Sequence, residues 1–253
     1  MVMNKTVQDS RPDSREGSPS QIEPAGTEEG NHLTRLAVFD YDGTVISGQS
    51  GALFSRYLFM RGYLNPIRAL RLGWWGFRYV FHLPYHEDEP REQIFGALRE
   101  HTGKEVDQLM LDFHNEVLLK RYRPEAIAEV QKRKDEGCIT LLISATFSGI
   151  AQAAAKVLRV DGLVATDMER DEEGHFTGNV AGDVISGQNK IKAVASWADE
   201  HIGQGKWVIA YSYADHHTDE DLLSVSEKAY AVTPGKTLKH KAKRMRWEVL
   251  DWS

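Results

Sequence analysis

Phe39-Asp40-Tyr41-Asp42-Gly43-Thr44 (FDYDGT) decides how the rest of the chain is read. It closes a short apolar run, LAVF (Leu36–Phe39), and sets two carboxylates two residues apart where that run ends. A run of this length between polar residues suits a strand buried on both faces. Open α/β sheets build their sites at the carboxyl ends of such strands. Two acids there are costly unless they serve a cation or a reaction. One can act as a nucleophile while the next turn of chain aims the other as a proton donor. A turn carrying two solvated aspartates would use the same residues, and the other strand ends choose between the two readings.

A second run, CITLLI (Cys138–Ile143), stops at Ser144, and a third, WVIAY (Trp207–Tyr211), leads into Asp215. Ser144 offers a hydroxyl to an oxyanion. Lys190, after the turn Gly187-Gln188-Asn189, offers a fixed positive charge, and Asp215 and Asp219 are spaced one helical turn apart. Carboxylates at two strand ends make a hard-oxygen site, which suits Mg2+ better than zinc. A carboxylate nucleophile with a cation, a lysine and a hydroxyl around it describes phosphoryl transfer.

Helices are expected over Pro124–Glu136 and Ile150–Leu158. A hairpin is expected over Gly162–Gly182 around Asp171-Glu172-Glu173-Gly174, and Ala229–Val232 is expected as the last strand. The pattern is α/β with a parallel sheet. Thr44 and Cys138 stand about 94 residues apart, whereas a strand–helix–strand unit needs only about 30. The extra chain is helical in character: Leu53, Phe54, Tyr57 and Leu58, then Val106, Leu109, Met110, Phe113 and Val117, follow a spacing of three and four. The expected organisation is a disordered opening over 1–31, with Pro12, Pro19 and Pro24 and few large apolar residues, then an α/β core over 32–46 and 123–253, interrupted by a helical insertion over 47–122.

With 41% hydrophobic and 27% charged residues in 253, collagen-like, disulfide-stapled and wholly disordered classes are excluded. A formal net charge of −6 offers no field for nucleic acid. A single cysteine, Cys138, cannot close an intramolecular disulfide and fits a reducing, cytoplasmic setting. No charged-then-apolar leader opens the chain. The longest uncharged run, Gly137–Ala155, is broken by Thr140, Ser144, Thr146 and Ser148, and is expected as strand, loop and helix instead of a membrane span. A soluble protein is expected.

FDYDGT (Phe39–Thr44), LLISATF (Leu141–Phe147), GQNK (Gly187–Lys190) and YADHHTD (Tyr213–Asp219) resemble the four motifs of the haloacid dehalogenase (HAD) superfamily. HFTGNVAG (His175–Gly182) and the stretch Ala231–Trp252 resemble its phosphoserine-phosphatase-like branch. The resemblance implies a three-layer, Rossmann-like core with a mainly parallel sheet and a helical cap after the first strand. It also implies a magnesium-dependent phosphomonoesterase acting on a small-molecule phosphomonoester. Asp40 would attack phosphorus and Asp42 would serve as acid and base. Ser144 and Lys190 would hold the phosphoryl oxygens. Asp40, the Asp42 carbonyl and Asp215 would bind Mg2+, with Asp219 supporting the metal from nearby, and Thr44 would support the site by shaping the turn. Phosphoserine phosphatase proper, a phosphotransferase of the same fold and a non-catalytic binding protein are the alternatives.

Three residues bear on substrate choice. Gln49 stands where phosphoserine phosphatases usually carry a glutamate, although Glu87 or Asp88 could replace that charge. His216 follows the metal-site aspartate, where the family has small residues, and either turns away or reaches substrate. Trp74 lies in a stretch with ten aromatic residues between Phe54 and Tyr85 and five arginines without an acid between Gly43 and His86. That stretch suits either a packed cap core with arginine stems or a substrate pocket or peripheral membrane surface.

Overall fold

A computed structural model describes residues 33–80, 83–84 and 89–253. The opening expected to be disordered, 1–31, lies outside the described residues, as do Glu87 and Asp88. The strands are β1 (Thr34–Asp40), β2 (Ile139–Phe147), β3 (Gly162–Arg170), β4 (Phe176–Ala181), β5 (Trp207–Ala214), β6 (Lys228–Val232) and β7 (Glu248–Leu250). They form one sheet in the order β4-β3-β2-β1-β5-β6-β7, parallel except for the antiparallel β3–β4 hairpin.

Alternation along the strands divides the core between two faces. Leu36, Val38, Leu141 and Ile143 pack with Val194 and Ala198 of one helix, Gln188–His201. Ala37, Phe39 and Leu142 pack on the other face with Ala126 and Val130 of the helix Pro124–Asp135, and with Ile150 and Ala154 of the helix Ser148–Leu158. The result is the Rossmann-like three-layer core that was expected. Parallel rings cross this second face: Phe39 stacks on Tyr213 at 4.4 Å, and Tyr213 on Tyr230 at 4.7 Å.

Between β1 and β2 the described chain contains helices and turns but no named strand: α1 (Ser50–Met60), α2 (Pro66–Val80), α3 (Glu89–Leu98) and α4 (Gly103–Phe113). Pro66 takes the first position of α2, where its missing N–H is no loss. The chain leaves and re-enters the core at one spot. Ser47 N donates to Arg121 O at 2.8 Å, and Arg123 N donates to Val45 O at 2.9 Å. Phe147, at the end of β2, receives Phe54 of α1 and Phe95 of α3, with ring centroids at 6.2 and 4.6 Å. Thr102 caps α4 in a reciprocal arrangement with Glu105. The remaining helices, in chain order, are α5 (Pro124–Asp135), α6 (Ser148–Leu158), α7 (Gln188–His201), α8 (Glu220–Ser224) and α9 (Lys236–Met245).

Three strand ends differ from expectation. β2 does not stop at Ser144: pairing with β3 shifts register between Ser144 and Phe147, so the extra residues are absorbed as a bulge and the strand continues. β5 runs to Ala214, which brings Asp215 directly to its end. Ala229–Val232 is not last, because β7 pairs beyond it in parallel. Three residues carry too little periodicity to announce a strand. No helix among the described residues is long and apolar enough to cross a membrane.

Candidate active site

The ends of β1, β2 and β5 and the first turn of α7 converge. Asp40, the last residue of β1, is buried. Lys190 Nζ donates to its Oδ1 at 2.6 Å and Thr44 Oγ1 to its Oδ2 at 3.2 Å. The same ammonium lies 2.8 Å from Asp219 Oδ1. Three residues past Asp40, Gly43 has φ +75°, and a methyl group built on it would come within 1.9 Å of Asp215 Oδ2. Glycine is therefore required twice: for the left-handed backbone and for the approach of Asp215. Arg123 closes the loop from behind, with Nη2 donating to Gly43 O at 3.3 Å and Nη1 to Trp252 O at 2.5 Å.

Asp42 points to the start of α1. Its Oδ1 accepts from Ser50 N at 2.6 Å and its Oδ2 from Ser50 Oγ at 2.9 Å. Ser50 Oγ also shares a 2.7 Å hydrogen bond with Thr146 Oγ1 on β2. Thr146 N in turn donates to Ser144 Oγ at 3.0 Å, so the Ser144 proton stays available for another acceptor. Both Ser144 and Ser50 are buried.

Burial pushes the Asp42 carboxyl up to about 6, against the pull of its Ser50 hydrogen bonds and of Lys190. Asp40 is raised by burial, then lowered by Lys190 and raised again by Asp219, with a net upward shift. Asp215 is raised by burial and then by Asp40 and Asp219. Burial also disfavours the Lys190 ammonium, but Asp219 and Asp40 more than offset this and hold it above its ordinary range. Four carboxylates thus face one ammonium among the described residues, and the excess negative charge calls for a cation.

The donors fit a hard divalent ion. Asp215 has no hydrogen-bond or ion-pair partner among the described residues, and every side chain on offer is an oxygen donor. No group of three or more His, Cys, Asp or Glu side chains able to cage an ion occurs among the described residues. That absence is compatible with Mg2+, which keeps much of its water and takes only one or two carboxylates.

Five expected residues, Asp40, Thr44, Lys190, Asp219 and Asp215, meet here, and Asp42 and Ser144 join them through Ser50 and Thr146. Three others take different positions. Gln49 is exposed as the N-cap of α1 and makes no side-chain cap. Trp74 is exposed and stacks on Phe77 at 5.4 Å. His216 Nδ1 faces Thr218 Oγ1 at 3.0 Å, in the turn that carries Asp219. Sequence reasoning missed Ser50, Thr146 and Arg123. It also missed Arg91 of α3, whose Nη2 donates to Ala145 O at 3.3 Å, beside Ser144. A serine just past the first motif and at the head of an apolar-periodic helix was the signal available for Ser50. A cleft of about 290 Å3, lined by Ser186–Asn189 and Thr218, opens at the start of α7.

The model of the haloacid dehalogenase-like hydrolase family matches residues 37–224. A histidinol-phosphatase of Neisseria meningitidis is 25% identical over 224 residues, 87% of this chain and 100% of the relative. A phosphoserine phosphatase of Mycobacterium tuberculosis is 28% identical over 228 residues, 87% of this chain and 71% of the relative. Among solved structures, a Bordetella pertussis Tohama I protein of unknown function superposes with a TM-score of 0.78 at 26% identity, covering 87% of this chain and 99% of that one. A match of that extent, on a sheet whose strand ends gather the acids and the lysine, makes this chain a member of the haloacid dehalogenase-like hydrolase family and an enzyme of its phosphatase type.

Proposed function

We propose that the chain is a Mg2+-dependent phosphomonoester hydrolase of the phosphoserine-phosphatase-like branch, working on a small organic or lipid-like phosphate in the cytoplasm. The observation that carries the reading is the buried Asp40 carboxylate, held between Lys190 and Thr44 with Asp42 two residues on. In this reading the Asp40 carboxylate attacks phosphorus, the phosphorus–ester oxygen bond breaks, and Asp42 gives its proton to the leaving alkoxide. A water molecule then attacks the aspartyl-phosphate, Asp42 takes a proton from it, and inorganic phosphate leaves as Asp40 is restored. A carboxyl raised to about 6 can carry out both transfers near neutrality. Lys190 and the Ser144 hydroxyl donate to the phosphoryl oxygens. Asp40, Asp215 and the Asp42 carbonyl would hold the Mg2+, with Asp219 in support; when bound, the ion supplies positive charge against the phosphate. The helical stretch 47–122 serves as the cap that excludes water.

The test is turnover of a panel of phosphomonoesters. Chelation should abolish activity and added Mg2+ restore it, whereas Asp215→Ala should respond poorly to the metal at any concentration tried. Full activity after exhaustive chelation would remove the ion from the reading.

The same panel ranks substrates. The two named relatives carry different substrates in their names, so both phosphoserine and histidinol phosphate belong in it, beside lipid-like, sugar and nucleotide monophosphates. Phosphoserine is expected to fall below another member. The neutral Gln49 cannot give an ammonium the charge-assisted part of a hydrogen bond, about 1–2 kcal/mol or roughly tenfold in binding. Phosphoserine ahead of all others by about tenfold in kcat/KM would overturn this ranking.

A further inference from the structure

The outer face of α2 is apolar, exposed and basic at its edges. Ile67, Leu70, Trp74 and Phe77 are 66%, 75%, 57% and 45% exposed. At about 100° per residue they fall within one arc of the helix, and Arg71 and Arg78 flank it on one side. The opposite face seats the helix on the protein: Leu72 packs against the core, and Arg68 Nη1 donates to Gln93 O of α3 at 3.1 Å. Such a helix would normally turn this stripe inward. Here a stripe about 15 Å long faces outward, with a tryptophan at its centre.

We propose that this face of α2 docks on an anionic lipid bilayer. Charge selects that occupant. Beside the stripe α2 carries Arg71 and Arg78, and no acid occurs anywhere from Gly43 to His86, in a chain whose net charge is −6. A symmetric pairing of two copies through α2 would set these arginines against one another with no counter-charge from the same element. An anionic membrane supplies counter-charge to the arginines and an acyl boundary to Leu70 and Trp74, and tryptophan favours that boundary. The inference stands apart from the catalytic reading, because it concerns binding alone.

Binding of the full chain to vesicles of phosphatidylcholine, with and without phosphatidylserine, tests it. Affinity should be about tenfold or more higher for the anionic vesicles and should fall with added salt. Leu70→Glu, at an exposed position, and Arg71→Glu should each weaken binding several-fold while the circular dichroism spectrum stays unchanged. Trp74→Phe should still bind but lose most of the blue shift in tryptophan emission seen for the parent protein. Equal binding to both vesicle types, or binding untouched by Leu70→Glu and Arg71→Glu, would overturn the proposal. So would a parent protein that ignores vesicles and sediments as a dimer that Leu70→Glu dissociates.

Discussion

Asp40→Asn is expected to lower phosphomonoester hydrolysis by about a thousandfold or more while leaving the melting temperature unchanged or raised. The amide keeps the size of the side chain and one oxygen for the Lys190 donor, and its NH2 group can donate to the Thr44 hydroxyl, but it has no anion with which to attack phosphorus. The stability side has its own sign. Burial and the neighbouring acids raise the Asp40 carboxyl, so its charge is held against the local field and its removal relieves strain. A variant that is folded and still turns over within tenfold of the parent would remove the covalent step. A variant that loses activity together with its fold would show that the residue mainly holds the sheet end together.

Arg133→Ala should cost about 3–5 kcal/mol of stability, the usual range when one partner of a buried ion pair is removed. The guanidinium is 4% exposed and lies 3.8 Å from the centre of the Tyr211 ring. It donates to Tyr213 Oη at 2.7 Å, Tyr230 Oη at 3.3 Å, Glu136 at 2.7 Å and Glu129. Alanine would leave these groups short of a donor beneath the stacked rings of β1, β5 and β6 and loosen α5 from the sheet. For a folded unit of this size the melting temperature should fall by roughly 10 °C or more. Lysine should recover little, because a point charge cannot serve that many fixed directions at once. A drop of only a degree or two would show that water fills the vacated space and satisfies the remaining groups.

What could be read from the sequence and what could not divide along physical lines. Asp40, Asp215 and Lys190 were legible because each follows an apolar run or a glycine turn, and local punctuation marks the end of an element. The inserted helices were legible because Phe54, Tyr57 and Leu58, and Val106, Leu109 and Met110, repeat at helical spacing and are buried. Arg133 was not. It stands in Gln131-Lys132-Arg133-Lys134-Asp135-Glu136, a run that looks solvated, and its burial depends on tyrosines about 80 to 100 residues later in the chain. Thr146 was hidden for the same reason, since its hydroxyl partner lies 96 residues away. The course of β2 past Ser144 was hidden because pairing is made by the backbone, which a polar side chain does not announce.

The hydrogen bonds of Ser50 have a consequence for timing. Ser50 is the first residue of α1, and its N–H and hydroxyl fix Asp42, the proposed proton carrier, on one side while the hydroxyl reaches β2 on the other. A displacement of α1 large enough to admit solvent would therefore also unlatch Asp42. In the proposed mechanism, sealing the site and positioning its acid would then be a single event, so that an open site would also be an idle one.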